Sequence, residues 1–311
     1  MRGSGQTPGR SPGRPARSEL SIGVLLAGGA FLFWGFVPPY WHLVGHVDSF
    51  QVIAHRVLWT CVFMAVLITA TKRWQTVVAA LRSRRTSLTL LAAGVLITGN
   101  WAIFIIGVLT NRLVAVSMGY FINPLVSVLL GIVFLRERLH LWQGVSVALA
   151  FAGVAYMAFS YSGLPWISLS LAFSFGLYGL LRKTVNADPM TGTFLESLFV
   201  SPAILAFLIV TAARGRGAFI SGGLGTSLVL AGAGVVSGVP LLAFAAGARR
   251  IPLFMVGFLQ YLAPTGHLLL GVLLYGEHFS RQHAVSFGLI WLGIIVFTLT
   301  TTLRRLRQRR T

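Results

Sequence analysis

Asn123-Pro-Leu-Val-Ser-Val-Leu-Leu-Gly131, running on to Glu137, returns 140 residues later as Ala263-Pro-Thr-Gly-His-Leu-Leu-Leu-Gly271, running on to Glu277. Leu-rich segments match one another by chance, but a Pro, a Gly and a Glu falling together at one offset do not. Working outward, the same offset aligns Asp48 with Asp188, Phe104 with Phe244, Gly107 with Gly247, Ser146 with Ser286 and Gly153 with Gly293, and it sets Arg56 against Glu196. The register holds without a gap from Asp48 to Leu299, so the chain is two copies of one unit of about 140 residues.

Both copies are apolar. The hydrophobic fraction is 56% over 311 residues, and the mean hydropathy is +0.81. That is more apolar surface than a soluble core of this size can hide, which makes the chain an integral membrane protein. The net charge of +19 does not point to nucleic acid, because the basic residues sit in the tails and between apolar runs, with no basic face interleaved with aromatics. A single cysteine, Cys61 in an apolar run, excludes a disulfide framework and a thiolate cluster. Residues 1–19, rich in Gly, Pro, Ser and Arg, read as a disordered cytoplasmic tail; residues 304–311 read as a second basic tail. Pro38 and Pro39 stand where a cleavage site would need small residues, so the first apolar run is expected to stay attached as a helix.

A span needs roughly 20 apolar residues. Ten runs meet this in outline: 20–41, 50–71, 88–109, 113–135 and 141–160 in repeat 1 (residues 20–160), then 166–181, 191–212, 226–246, 252–275 and 284–303 in repeat 2 (residues 165–303). Five spans per copy is odd, so the copies enter the membrane from opposite sides. The expected fold is all-α, with ten transmembrane helices as two inverted five-helix repeats. With both termini in the cytoplasm, 20 of the 25 Lys and Arg fall on inner segments and four on outer loops, leaving Arg56 within a span.

Function should lie where the spans carry groups that lipid rejects. Arg56 and Glu196 each lie a few residues inside a span, and a charge near the bilayer centre costs about 2.5–3.5 kcal/mol even on lenient scales. Such residues face a cavity or a partner, and their equivalence leads us to expect that they approach each other or share the central cavity. A plain structural ion pair is the competing reading. Asn100, Trp101, Tyr120, Asn123, Gln260 and Tyr261 are further cavity candidates, each balanced by the interhelical hydrogen bonding that membrane amides commonly serve. Trp34 with Gly35, recurring as Tyr178 with Gly179, completes the set, although an aromatic beside Gly commonly marks close packing. Pro124 and Pro264 fall mid-span at equivalent places and read as symmetric kinks or hinges. Glu137 and Glu277 follow the fourth and ninth spans and read as caps on the helix that comes next. The histidines show no metal-ligand spacing, and no phosphate-binding loop is present. No cofactor or metal is expected.

The stretch from Ser117 through Asn123-Pro124 to Glu137, together with Ala54-His-Arg-Val-Leu-Trp59, Asn100-Trp101 and Phe173-Ser-Phe-Gly-Leu-Tyr-Gly-Leu-Leu-Arg-Lys183, closely resembles the RarD branch of the EamA, or drug/metabolite transporter, superfamily. The resemblance covers nearly all of residues 23–298. It implies an inner-membrane transporter with a cavity lined by the first four helices of each repeat, the fifth and tenth helices packing peripherally. RarD proteins are named for chloramphenicol sensitivity, which leaves the natural substrate open. The expectation is a secondary transporter of small organic metabolites or drugs, working by alternating access with the two repeats rocking about a midplane cavity. Its partners are the substrate and the bilayer, with protons added if Glu196 couples transport to them. An intramembrane enzyme acting on lipid would need converging acid, base or metal groups, and one deep carboxylate supplies too few. A non-transporting sensor would be expected to carry a soluble domain.

Overall fold

The computed structural model describes residues 17–135, 141–160, 165–248, 250 and 259–307, apart from some side chains within these ranges. Among these residues the structure is entirely helical. In repeat 1, α1 (Arg17–Phe36) is followed by the short α2 (Pro38–His42), α3 (Ser49–Ala70), α4 (Trp74–Arg82), α5 (Arg84–Leu109), α6 (Leu113–Leu135) and α7 (Leu141–Ser160). Repeat 2 holds α8 (Trp166–Thr184), α9 (Pro189–Ala213), the short α10 (Ala218–Ser221), α11 (Gly223–Ala248), α12 (Leu262–Leu269) and α13 (Arg281–Arg307). Five described segments, Glu19–His42, Ser49–Ala70, Arg84–Leu109, Pro189–Ala213 and Gly223–Phe244, are long and apolar enough to cross a membrane, and shorter apolar helices accompany them.

The repeat is visible in how helices start. Asp48 accepts hydrogen bonds from the backbone N–H of Phe50 and Gln51 (3.1 and 3.3 Å) to cap α3. Its counterpart Asp188 does the same for Met190 and Thr191 (3.1 and 3.2 Å) at α9. These side chains satisfy N–H groups that a helix start leaves orphaned. Burial raises the pKa of Asp188, but the bonds from Thr191 and Met190 and the charge of Arg73 outweigh it and leave its carboxyl below the usual range.

Prolines reshape two expected spans. The run 20–41 divides at Val37, because Pro38 and Pro39 lack the N–H groups needed to continue α1 and instead open α2. The ninth span is interrupted at Tyr261, which stands as a turn, so Pro264 occupies the first turn of α12 and not the middle of a helix. A π turn over Leu270–Leu274 then loosens the end of this segment. Pro124 lies within α6, but its side chain is outside the described residues, as is the whole of Glu137. Pro202 and Pro240 stand inside α9 and α11; the repeat offset could not flag them, since each lacks a proline counterpart.

Packing runs mainly between the repeats, with smaller contacts such as that of α3 on α5 within them. Going from neighbour to neighbour, α1 packs on α11, α11 on α3, α3 on α9, α9 on α5, α5 on α8, α8 on α6, α6 on α12, and α12 back on α1. The circuit closes with helices of the two repeats strictly alternating. Outside it, α7 and α13 clasp each other through a reciprocal contact. A Cβ on Gly153 would lie 2.8 Å from the Ser286 carbonyl oxygen, and one on Gly293 would lie 2.7 Å from that of Ser146. Only glycine permits this approach, and the pairs Gly153/Gly293 and Ser146/Ser286 are related by the repeat itself.

Candidate functional site

Two buried charged centres sit on this circuit. Arg56 and Glu196 are each the eighth residue of their helix, α3 and α9 respectively. They are 8% and 2% exposed. The expected direct meeting does not occur, and α5 shows why. A Cβ at Gly94, close to the middle of α5, would touch the Glu196 backbone, whereas Arg56 lies over the rings of Trp101 and Phe104 further toward the end of that helix. At 1.5 Å per residue that separates the two charges by roughly 10–15 Å along the axis. Helices that run in opposite directions carry equivalent residues to opposite ends.

Glu196 instead finds Arg182 of α8. Arg182 Nη1 donates to Glu196 Oε1 (3.2 Å), and Tyr178 Oη donates to Oε2 (3.2 Å). Tyr178 and Arg182 are four residues apart on α8 and therefore share a face. Sequence reasoning counted Arg182 among the charges at a span end. Its i, i+4 spacing from Tyr178 was the signal that could have placed it here.

Among the described residues, Arg56 has no carboxylate partner. Its Nε donates to Ser237 Oγ of α11 (3.2 Å), and its guanidinium lies 4.3 Å from the Trp101 ring, 4.9 Å from Trp41 and 5.9 Å from Phe104. Cation–π contact of this kind compensates part of the cost of burying the charge. The Nη1 atom is buried with no hydrogen-bond partner. The described carboxylates are engaged elsewhere: Glu19 with Arg250, Asp48 and Asp188 as caps, Glu196 with Arg182, and Glu277 as described below.

The other candidates divide. Trp101 joins the Arg56 centre and Tyr178 the Glu196 centre. Asn100 donates to the Leu171 carbonyl and to Ser174 Oγ (3.1 and 2.9 Å), and accepts from Tyr120 Oη (3.3 Å), so it ties α5, α6 and α8 together. Tyr120 stands beside Phe104 (6.2 Å between centroids) and His267 (5.6 Å). Trp34 packs with Phe31 and Phe244; its carbonyl accepts from His267 Nε2 (2.9 Å), a residue that sequence reasoning left aside. Gly35 and Gly266 bring α1 and α12 backbone to backbone, whereas Gly179, its counterpart in repeat 2, meets nothing within 4 Å. Asn123 is buried and its Oδ1 lacks a partner. Tyr261 stacks on Phe121 (6.1 Å), and Gln260 is half-buried. Arg56 with Trp101 and Tyr178 with Glu196 therefore mark two centres, whereas Trp34 and Tyr261 pack their rings on other aromatics.

Each centre lies near a short strap. Gln51 Nε2 donates to the Arg216 carbonyl (3.0 Å), and Gln51 Oε1 accepts from Ala218 N (2.8 Å), which brings Phe219 of α10 onto His55 (5.0 Å), next in sequence to Arg56. At the opposite end, α4 places Trp74 edge-on to Phe194 (5.6 Å) and bonds Thr76 to Thr191 (2.7 Å), both near Glu196.

Glu277 caps a helix, but not the one that follows. Gly276, at φ +62, turns the chain, and the carboxylate accepts from the backbone N–H groups of Leu113 and Val114 (2.8 Å for the latter) at the start of α6. The contact spans 164 residues and staples repeat 2 to repeat 1. Glu277→Ala is expected to cost about 0.5–2 kcal/mol, read as a lowered unfolding temperature of the purified protein, with Glu277→Gln recovering less than half. An unchanged transition would mean that the cap contributes nothing.

Comparison with known proteins fits this arrangement. A family model described as the EamA-like transporter family matches residues 21–159 and again 162–299. The chain is 41% identical over 286 residues to the uncharacterized transporter YojE of Bacillus subtilis, covering 91% of this chain and 95% of that one. It is 38% identical over 277 residues to protein RarD of Salmonella typhi, covering 89% and 94%. A solved crystal structure superposes with a TM-score of 0.60 at 17% identity, covering 93% of this chain and 97% of the other, and so shares the fold. The chain belongs to the EamA-like transporter family, a family of multi-pass membrane proteins built from two repeats. Within it, the likeness to RarD proteins over some nine-tenths of the chain places it in the RarD branch.

Proposed function

We propose that the protein is a secondary transporter, with ten spans in two inverted repeats and both termini cytoplasmic, that moves small organic molecules across the cytoplasmic membrane by alternating access. The observation that carries this reading is the pair of buried charged centres at repeat-equivalent positions, one toward each end of the bundle, each beside a strap. A site that must open alternately to two sides needs such related halves. The alternation of repeats around the circuit changes the expected motion. Neither repeat is a body that could rock against the other, so the moving parts are mixed sets of helices drawn from both. The names of the relatives, transporter and RarD, support the class and leave the cargo open.

Glu196 is the residue through which protons would couple. Held by Arg182 and Tyr178, it has to release that arginine before it takes a proton, so opening of the pair is the step that would link protonation to movement. Comparison of medium from cells with and without the gene should reveal an exported compound. In everted vesicles a pH gradient should then drive its accumulation. Glu196→Gln should keep exchange of that compound between the two sides while losing pH-driven accumulation by tenfold or more. Unaltered pH-driven accumulation in Glu196→Gln would end the coupling role.

A further inference from the structure

Among the described residues, Arg56 is a buried cation without a counter-ion. Its Nε is used by Ser237, its faces by Trp41, Trp101 and Phe104, and its Nη1 by nothing, although that atom is fully enclosed. A buried polar group is ordinarily satisfied, and a guanidinium with a free edge is shaped for a planar oxyanion. Glu196, at the equivalent position, has its arginine. Arg56 has no equivalent acid, because at the offset that pairs Trp34-Gly35 with Tyr178-Gly179 the counterpart of Arg182 is Pro38. Trp41 Nε1, on one of the rings that flank the guanidinium, is likewise buried and unpartnered. The aromatic walls leave an apolar surround for whatever the free edge binds.

We propose that Arg56 is a substrate-binding residue whose missing counter-ion is the cargo: a small organic carboxylate with an apolar body, its oxygen received at Arg56 Nη1 and its body against Trp101 and Phe104. A carboxylate fits better than a phosphate, since one free guanidinium edge and one indole N–H offer too few donors for a dianion. This inference rests on the transporter reading and supplies its substrate class.

The test uses the full-length protein in detergent and ligands matched in body but not in head group: phenylacetate, 2-phenylethanol, phenethylamine and phenyl phosphate, with hexanoate and hexanol as an aliphatic pair. Quenching of tryptophan fluorescence and a thermal shift are the readouts. Phenylacetate or hexanoate should bind saturably, at least tenfold tighter than the matched alcohol, amine or phosphate. Arg56→Gln should erase that preference, and Trp101→Phe should reduce the quenching while leaving the thermal-shift preference in place. If Arg56→Gln is not monodisperse, Ser237→Ala, which frees the guanidinium to reorient, should weaken carboxylate binding several-fold and leave the alcohols unchanged. Equal response to all head groups in the wild-type protein overturns the proposal, as does an undiminished preference in Arg56→Gln. Failure here with export intact would leave the transporter reading standing. Carboxylate binding without any flux in vesicles would instead remove the transporter reading and keep the site.

Discussion

Glu196→Ala or Arg182→Ala, made singly, should destabilise the protein by about 3–5 kcal/mol, because either change strands a buried charge without its partner. Replacing both by apolar residues of similar length, Glu196→Leu with Arg182→Met, should recover most of that loss, since the cost lies in the unpaired charge and not in the absent bond. Thermal unfolding of the four proteins gives the coupling directly. The contrast that makes the experiment sharp is Arg56: the pair Arg56→Gln and Glu196→Leu should show simple addition, as expected for sites separated by roughly 10–15 Å along the bundle. Additive costs for Glu196 with Arg182, or rescue between Glu196 and Arg56, would contradict the pairing seen in the structure.

The second large effect is expected at Gly94 and Gly234, which the repeat places in equivalent positions. A Cβ on Gly94 would sit 2.5 Å from the Glu196 carbonyl oxygen, and one on Gly234 would collide with the carbonyl of Trp59, one turn beyond Arg56. The obstacle in both cases is backbone, which cannot rotate away as a side chain can. Gly94→Ala and Gly234→Ala should each cost about 1–3 kcal/mol, toward the upper end for overpacking. Gly99→Ala and Gly179→Ala, where nothing lies within 4 Å, serve as controls and should be neutral or slightly stabilising. Measured unfolding temperatures that fail to separate the two groups would mean that α5 and α11 pack more loosely than the structure shows.

Much of this architecture was legible because it leaves marks one residue at a time. An offset of 140 residues exposes the duplication, apolar length places α3, α5 and α9 to within a few residues, and Arg56 and Glu196 stand out as charges that lipid would reject. The interlacing left no such mark. Sequence order says nothing of whether α3 packs on its own repeat or on α9 and α11, so the duplication could be read from the string of letters and the interlacing of its two copies could not. Glu277 was read correctly as a cap but assigned to the wrong helix, since capping is recognised from local sequence and this cap reaches across 164 residues. Arg182 was missed because position near a span end and pairing with a buried acid look alike in a string of letters. The short straps escaped for a different reason: α4 and α10 are too small to register as spans.

The strict alternation around the circuit has a consequence in time. A chain emerging from the ribosome delivers all of repeat 1 before the repeat 2 helices that flank α1, α3, α5 and α6 in the circuit. The partner of α1 that closes the circuit, α12, begins some 240 residues after α1 does, roughly 12–50 s later at ordinary rates of synthesis. Through that interval the early helices wait in lipid with Arg56 already inserted beside its aromatic walls but without Ser237, and the last of the described helices, α13, is the one that latches onto α7. A message cut short before Arg281 would therefore yield an unlatched assembly, whatever the quality of the helices already made.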